Sequence, residues 1–166
     1  MSNRANIEAA LSTTADRLSP GSGAKAPKHF RLEIQMIASS DDDSVRRVSS
    51  QEILIAAPAV FESKRPDGDP VTIQKPHEGL IAVFPDGLVI VRGIGFGVRE
   101  SKAFPAGDVS VERVTTVLNG TQVPGLRITA RAGKPKFAVA IAQAKAAGSP
   151  TEQAAVRDEI LQLLTR

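Results

Sequence analysis

Asn119-Gly120, set between Val109 to Leu118 and Thr121 to Ala130, constrains this chain more than any other pair of residues. A tight type I′ turn needs positive φ at both central positions, which Asn tolerates and Gly adopts freely. The dipeptide between two apolar-alternating runs therefore predicts a β-hairpin. A hairpin with an apolar face is marginal alone and has to be completed by more strands or by a covering helix. In the first run Val109 and Val111 share one phase while Val114 and Leu118 share the other. A β-bulge near Glu112-Arg113 would reconcile the two.

More strand signals lie on either side. Gln51 to Phe61 holds Ile53, Leu54, Ile55, Val60 and Phe61 around Pro58, which predicts a strand broken by a bulge or lying at an edge. Leu80 to Phe84 and Leu88 to Val91 flank the turn Pro85-Asp86-Gly87. Phe137, Val139 and Ile141 alternate after the turn Ala132-Gly133-Lys134-Pro135. Upstream, Phe30, Leu32, Ile34 and Met36 alternate with Arg31, Glu33 and Gln35, the period of a half-buried strand that Asp41-Asp42-Asp43 would end.

Two helices bracket these strands. Ser149-Pro150-Thr151-Glu152 reads as a capping box, followed by an apolar face of Val156, Ile160, Leu163 and Leu164 opposed by Gln153, Arg157, Asp158 and Gln162. Near the start, Ile7, Leu11, Ala15 and Leu18 fall on one narrow stripe that stops at Ser19-Pro20-Gly21-Ser22-Gly23. A short helix with a narrow stripe is marginal in water. The preferred reading is a frayed arm; the sharper one is a docking helix that offers Ile7, Leu11 and Leu18 to a partner or a second copy. The division that results is a helix and flexible linker over 1–28 and a single β-rich domain over 29–166.

A family resemblance follows from particular phrases. Ser50 to Phe61 resembles the first strand of bacterial pleckstrin-homology-like domains, and Glu78 to Val91 is similar to their second hairpin. Ala103-Phe104-Pro105 followed by Val109 to Val114 resembles their aromatic-proline phrase before a strand, and Gly125-Leu126-Arg127-Ile128 with Phe137 resembles their late strands. The resemblance covers about residues 50–166. It implies a mainly β, α+β fold: a small antiparallel barrel or sandwich capped by the C-terminal amphipathic helix. It also implies a non-enzymatic interaction module, an adaptor or scaffold for a protein partner.

Chemistry-bearing residues are sparse. The chain has no Cys, which removes disulfides, zinc ribbons, iron–sulfur clusters and thiol catalysis. His29 and His77 are the only histidines and stand apart, and no Ser sits in a Gly-x-Ser-x-Gly elbow. Asp41-Asp42-Asp43 and Asp67-Gly68-Asp69 lack the spacing of a calcium loop. Gly93-Ile94-Gly95-Phe96-Gly97 leads into a strand pattern and not into a helix, so it reads as a flexible strand–strand loop and contact surface, not a phosphate cradle. The expectation is no catalytic site, no metal and no cofactor. Met1 to Ala10 has no apolar targeting core, and no apolar run approaches the ~20 residues of a membrane span, so the expected location is cytoplasmic.

Charge is the more informative property. From Thr121 to Arg166 there are seven basic and three acidic residues, and no acid at all lies between Arg113 and Thr151, where Lys145 adds to the run. Strand alternation puts Arg127, Thr129 and Arg131 on one face, with Lys134 and Lys136 at the next turn. Arg127, Arg131, Lys134 and Lys136 are therefore the candidate site for an anion or an acidic partner surface. The alternative reading of the patch is peripheral binding to anionic lipid. The modest net charge of +3 and the absence of Trp and Tyr argue against nucleic acid. A further alternative is a structural subunit of an assembly such as a phage particle, with the N-terminal arm reaching a neighbouring copy.

Overall fold

A computed structural model of the chain describes residues 3–144 and 148–165. Four helices come first: α1 (Asn3–Leu18), α2 (Ala26–His29), α3 (Arg31–Ala38) and α4 (Asp43–Val48). Eight strands follow: β1 (Ile55–Glu62), β2 (Val71–Ile73), β3 (His77–Phe84), β4 (Gly87–Gly95), β5 (Val98–Pro105), β6 (Val109–Leu118), β7 (Thr121–Ala130) and β8 (Lys136–Ala140). The last element is α5 (Pro150–Leu164). The strands form one sheet in the order β2-β6-β7-β8-β1-β3-β4-β5, curled into a half-barrel. All neighbours pair antiparallel except β2 with β6.

The curl gives the sheet two buried faces. On the concave side Ile55, Phe61, Ile81, Ile90, Leu126 and Val139 close over Val156 and Ile160 of α5. On the convex side Ala56, Leu80, Ala82, Phe84, Val89 and Val91 meet Ile7, Leu11, Phe30, Ile34, Val45 and Val48 of the helical layer. This is why Leu80 to Phe84 and Leu88 to Val91 are continuous apolar runs and not alternating ones: both faces are covered. Three small residues of β1, Ala56, Ala57 and Ala59, are fully buried. The bulk around them comes from the helices on one side and the barrel interior on the other.

Several expectations change here. Residues 31–38 are a helix, not a strand. Phe30, Ile34 and Ile37 are buried at helical spacing while Leu32 stands exposed, so the 3.6-residue period overrode an equally legible two-residue alternation. The Asn119-Gly120 hairpin forms in unbroken register from Val109↔Ala130 to Leu118↔Thr121, with no bulge at Glu112-Arg113. Its phase change has another cause. Val109 and Val111 face the concave core, whereas Val114 packs on Val71 and Ala138, and Leu118 on Ile73 and Val60. The strand exchanges its buried face because β2 and the end of β1, through Val60, cover its far half. Pro58 sits in an unbroken strand, in the part of β1 that pairs with β3 alone; pairing with β8 begins at Val60.

The segment expected as a linker is folded. The Asp16 carboxylate accepts hydrogen bonds from the backbone N–H of Gly21 (2.9 Å) and Gly23 (3.3 Å), and Ala26 N–H donates to Ser22 O (3.1 Å). Helix α1 is not frayed: Ile7 and Leu11 are wholly buried. It is also joined to the other end of the chain, since Ser149 N–H donates to Leu18 O (3.0 Å) and Arg17 pairs with Glu159 (2.8 Å) and Glu152 (3.3 Å). Glu152 thus serves Arg17 and not the reciprocal half of a capping box, although Ser149 does cap α5.

Candidate interaction site

Strand directions bring three loops together. β1 and β4 both run antiparallel to β3, and β1 and β7 both run antiparallel to β8. The segment after β1, the β4–β5 hairpin and the β7–β8 turn therefore lie toward one end of the half-barrel. Between them is an open cleft of about 890 Å³ lined by Arg65, Asp67, Arg92, Glu100, Lys134 and Lys136, with Phe137 at its floor.

Arg92 is the central group. Its side chain is 13% exposed, and its guanidinium lies 5.1 Å from the centroid of Phe137, a cation–π contact. Glu100 is a distant counterion at 3.7 Å, and the buried Nε has no hydrogen-bond partner. A buried donor left unpaired costs about 1–3 kcal/mol, so a ligand or water oxygen that accepts from this N–H would be favoured here. At the rim Arg65 adopts φ 53°, a left-handed conformation uncommon for such a residue, and stands exposed. Neither Arg65 nor Lys134 has an ion-pair partner among the described residues.

The four cations singled out from sequence divide into two roles. Arg127 is mostly buried: it donates to Pro66 O (2.9 Å) and Gly68 O and pairs with Glu112 (2.6 Å). Lys136 pairs with Asp67, whose carboxyl is held below the usual aspartate range chiefly by that hydrogen bond. Both strap the 63–70 segment onto the sheet, helped by Asp69, which accepts from Thr115 N–H (2.9 Å). Arg131 and Lys134 face solvent. Lys145 lies outside the described residues. The other candidates, Ile7, Leu11 and Leu18, point into the protein's own core and leave no apolar stripe for a partner.

Sequence reasoning missed Arg65 and Arg92. Arg92 had a signal, a lone guanidinium ending the buried run Leu88 to Val91; Arg65 in its loop had none. The Gly93–Gly97 segment is a hairpin tip carrying Phe96 fully into solvent. His29 meets Glu78 at 3.1 Å, and no group of three or more His, Asp or Glu gathers to hold a metal among the described residues. Among the described residues no helix is long and apolar enough to cross a membrane.

No family model and no curated protein matches the chain. Among solved structures it is similar to the C-terminal domain of an unknown protein from Leishmania infantum, at 6% identity and a TM-score of 0.47, over 74% of this chain and 93% of that one. It is also similar to Vav1 bound to an allosteric inhibitor (7% identity, TM-score 0.41) and to the apo form of an activated Vav1 truncation (7%, 0.42). The chain spans well under half of either Vav1 structure, 37% and 38% of their lengths.

Proposed function

We propose that this chain is a non-enzymatic, pleckstrin-homology-like interaction module, an adaptor whose protein partner places an acidic segment in the cleft over Arg92. The family part of the reading is supported by seven long strands in the order β6-β7-β8-β1-β3-β4-β5, closed by one terminal helix. The functional part rests on one observation: the unpartnered Nε of Arg92 lies beneath an open cleft whose rim carries two cations without counterions. The lining is dominated by charge, with Arg65, Arg92, Lys134 and Lys136 against Asp67 and Glu100, which supports recognition of an anionic group there.

The test is an NMR titration that follows the Arg92 Nε–H signal while hexaglutamate or inorganic phosphate is added. Saturable movement that disappears in Arg65→Ala plus Lys134→Ala supports the cleft. A signal that stays still up to millimolar ligand removes it. Crosslinking in the native host then names the partner.

A second reading, peripheral binding to anionic membrane, shifts its ground. With Arg127 and Lys136 engaged internally, the last hairpin alone offers only Arg131 and Lys134. What favours a membrane is the hairpin beside the cleft.

A further inference from the structure

The geometry points to the β4–β5 hairpin as a wedge that inserts into an anionic bilayer, with Phe96 entering the headgroup–acyl boundary and Lys28, Arg31, Arg65 and Lys134 holding lipid phosphates on its flanks. This rests on the membrane reading above and names the inserting element.

Phe96 is the outlier among six phenylalanines. Phe30, Phe61, Phe84, Phe104 and Phe137 are all at most 3% exposed, while Phe96 is 106% exposed. It sits at φ 55° between Gly95 (φ 109°) and Gly97 (φ 74°). An aromatic residue in the left-handed region is a local strain that the rest of the fold has to sustain. Ile94 and Val98 beside it are also exposed, so the tip carries no polar side chain from 94 to 98. Leu32 of α3 is exposed beside it, sharing a shallow groove with Gly97 and Arg99. Four of the five large exposed apolar side chains among the described residues thus gather at one point.

The wedge is held from behind. Arg99 donates to Gly97 O (3.1 Å) and pairs with the buried Glu33 of α3 (2.9 Å), which fixes the hairpin against the helical layer. Preorganisation of this kind removes part of the ordering penalty of binding.

Cations stand on both sides. On the helical side Arg31 directly precedes Leu32, which shares the groove with Gly97 and Arg99, and Lys28 lies in the short helix before it; both are exposed. On the cleft side are Arg65 and Lys134, next to the Arg92↔Glu100 rung. Of the nearby carboxylates, Glu33, Asp67 and Glu100 each already face an Arg or Lys, and Glu78 faces His29. Lys28, Arg31, Arg65 and Lys134 have no such partner among the described residues. A convex apolar tip between two groups of free cations matches a surface that is anionic outside and apolar roughly 5–10 Å below.

The chain supplies its own reporter strategy. It has no Trp and no Tyr, so Phe96→Trp introduces a single indole. With phosphatidylcholine vesicles containing phosphatidylglycerol at low salt, the indole emission is expected to shift to the blue and to be quenched by brominated acyl chains, with little change on phosphatidylcholine alone. Phe96→Ser, at an unchanged melting midpoint, is expected to lower vesicle partitioning about tenfold or more. Lys28→Glu plus Arg31→Glu should lower it further than an uncharged pair, each lost cation being worth about fivefold. If the protein sediments with the anionic vesicles while the indole stays in water, the wedge is overturned and the membrane reading stands. If nothing sediments at low salt, both fall. If the indole shifts only when a protein partner is added, the hairpin is a protein-docking knob and the wedge is wrong.

Discussion

Glu33 on α3 and Arg99 on β5 meet at 2.9 Å across the seam between helices and sheet, the carboxylate nearly sealed and the guanidinium about one-third exposed. The asymmetry predicts unequal mutants. Arg99→Ala strands a buried carboxylate and should cost about 2–3 kcal/mol in urea unfolding. Glu33→Gln leaves Arg99 free to turn to water and should cost distinctly less. Equal losses would contradict the assignment of Glu33 as the trapped partner.

The helical layer is part of the core, and truncation tests that. Ile7→Ala removes a wholly buried side chain from α1 and should cost about 2–5 kcal/mol in a single cooperative transition. A chain beginning at Lys28 uncovers Leu80, Ala82 and Val89 and should bind a hydrophobic dye or fail to fold. A shortened chain with the full-length melting midpoint would restore the detachable arm.

Gly125 tests the contact between β7 and its neighbours. A Cβ there would lie 2.6 Å from Thr116 Cγ2 and 2.8 Å from Val139 O, and the second of these is backbone and cannot turn aside. Gly125→Ala should cost about 1–3 kcal/mol by overpacking. Gly107→Ala, which meets nothing within 4 Å, is the matched control and should be close to neutral.

The strap between Asp67 and Lys136 has a definite pH dependence. Asp67 titrates below the ordinary aspartate range in the folded protein, so its contribution is present above the unfolded value. It is lost as pH falls through the lowered folded value, and the 63–70 segment loosens only in acid. Carboxyl-detected NMR should place the Asp67 midpoint below the ordinary aspartate range, and Lys136→Ala should bring it back. An Asp67 midpoint indifferent to Lys136→Ala would separate the pair.

Much of the sheet was legible because hairpins write themselves locally: Asn119-Gly120 and Pro85-Asp86-Gly87 carry their turn geometry in two or three residues. The C-terminal helix was legible for the same reason, through Ser149 and Pro150. The helical layer was not. Phe30 to Met36 satisfies both a two-residue and a 3.6-residue period, and only the packing of Phe30, Ile34 and Ile37 on strands far along the chain decides between them. The candidate site was half legible. A run of cations in sequence shows where charge accumulates, but not that Arg127 is bound by the carbonyls of Pro66 and Gly68 while Arg65 stays free. Those facts belong to a loop docked from elsewhere, and no local pattern encodes them.

The bond from Ser149 to the carbonyl of Leu18 bears on biosynthesis. Helix α1 leaves the ribosome well before α5, yet its last carbonyl and its Arg17 find their partners only when α5 has been made. The stripe of α1 can dock once β1, β3 and β4 exist, but the concave face of the sheet must wait through the synthesis of every strand for Val156 and Ile160 of α5. Native closure is therefore a late, nonlocal event, of the kind that folds slowly and leaves apolar surface uncovered in the meantime. The nascent chain is most in need of chaperone cover in the interval before α5 emerges.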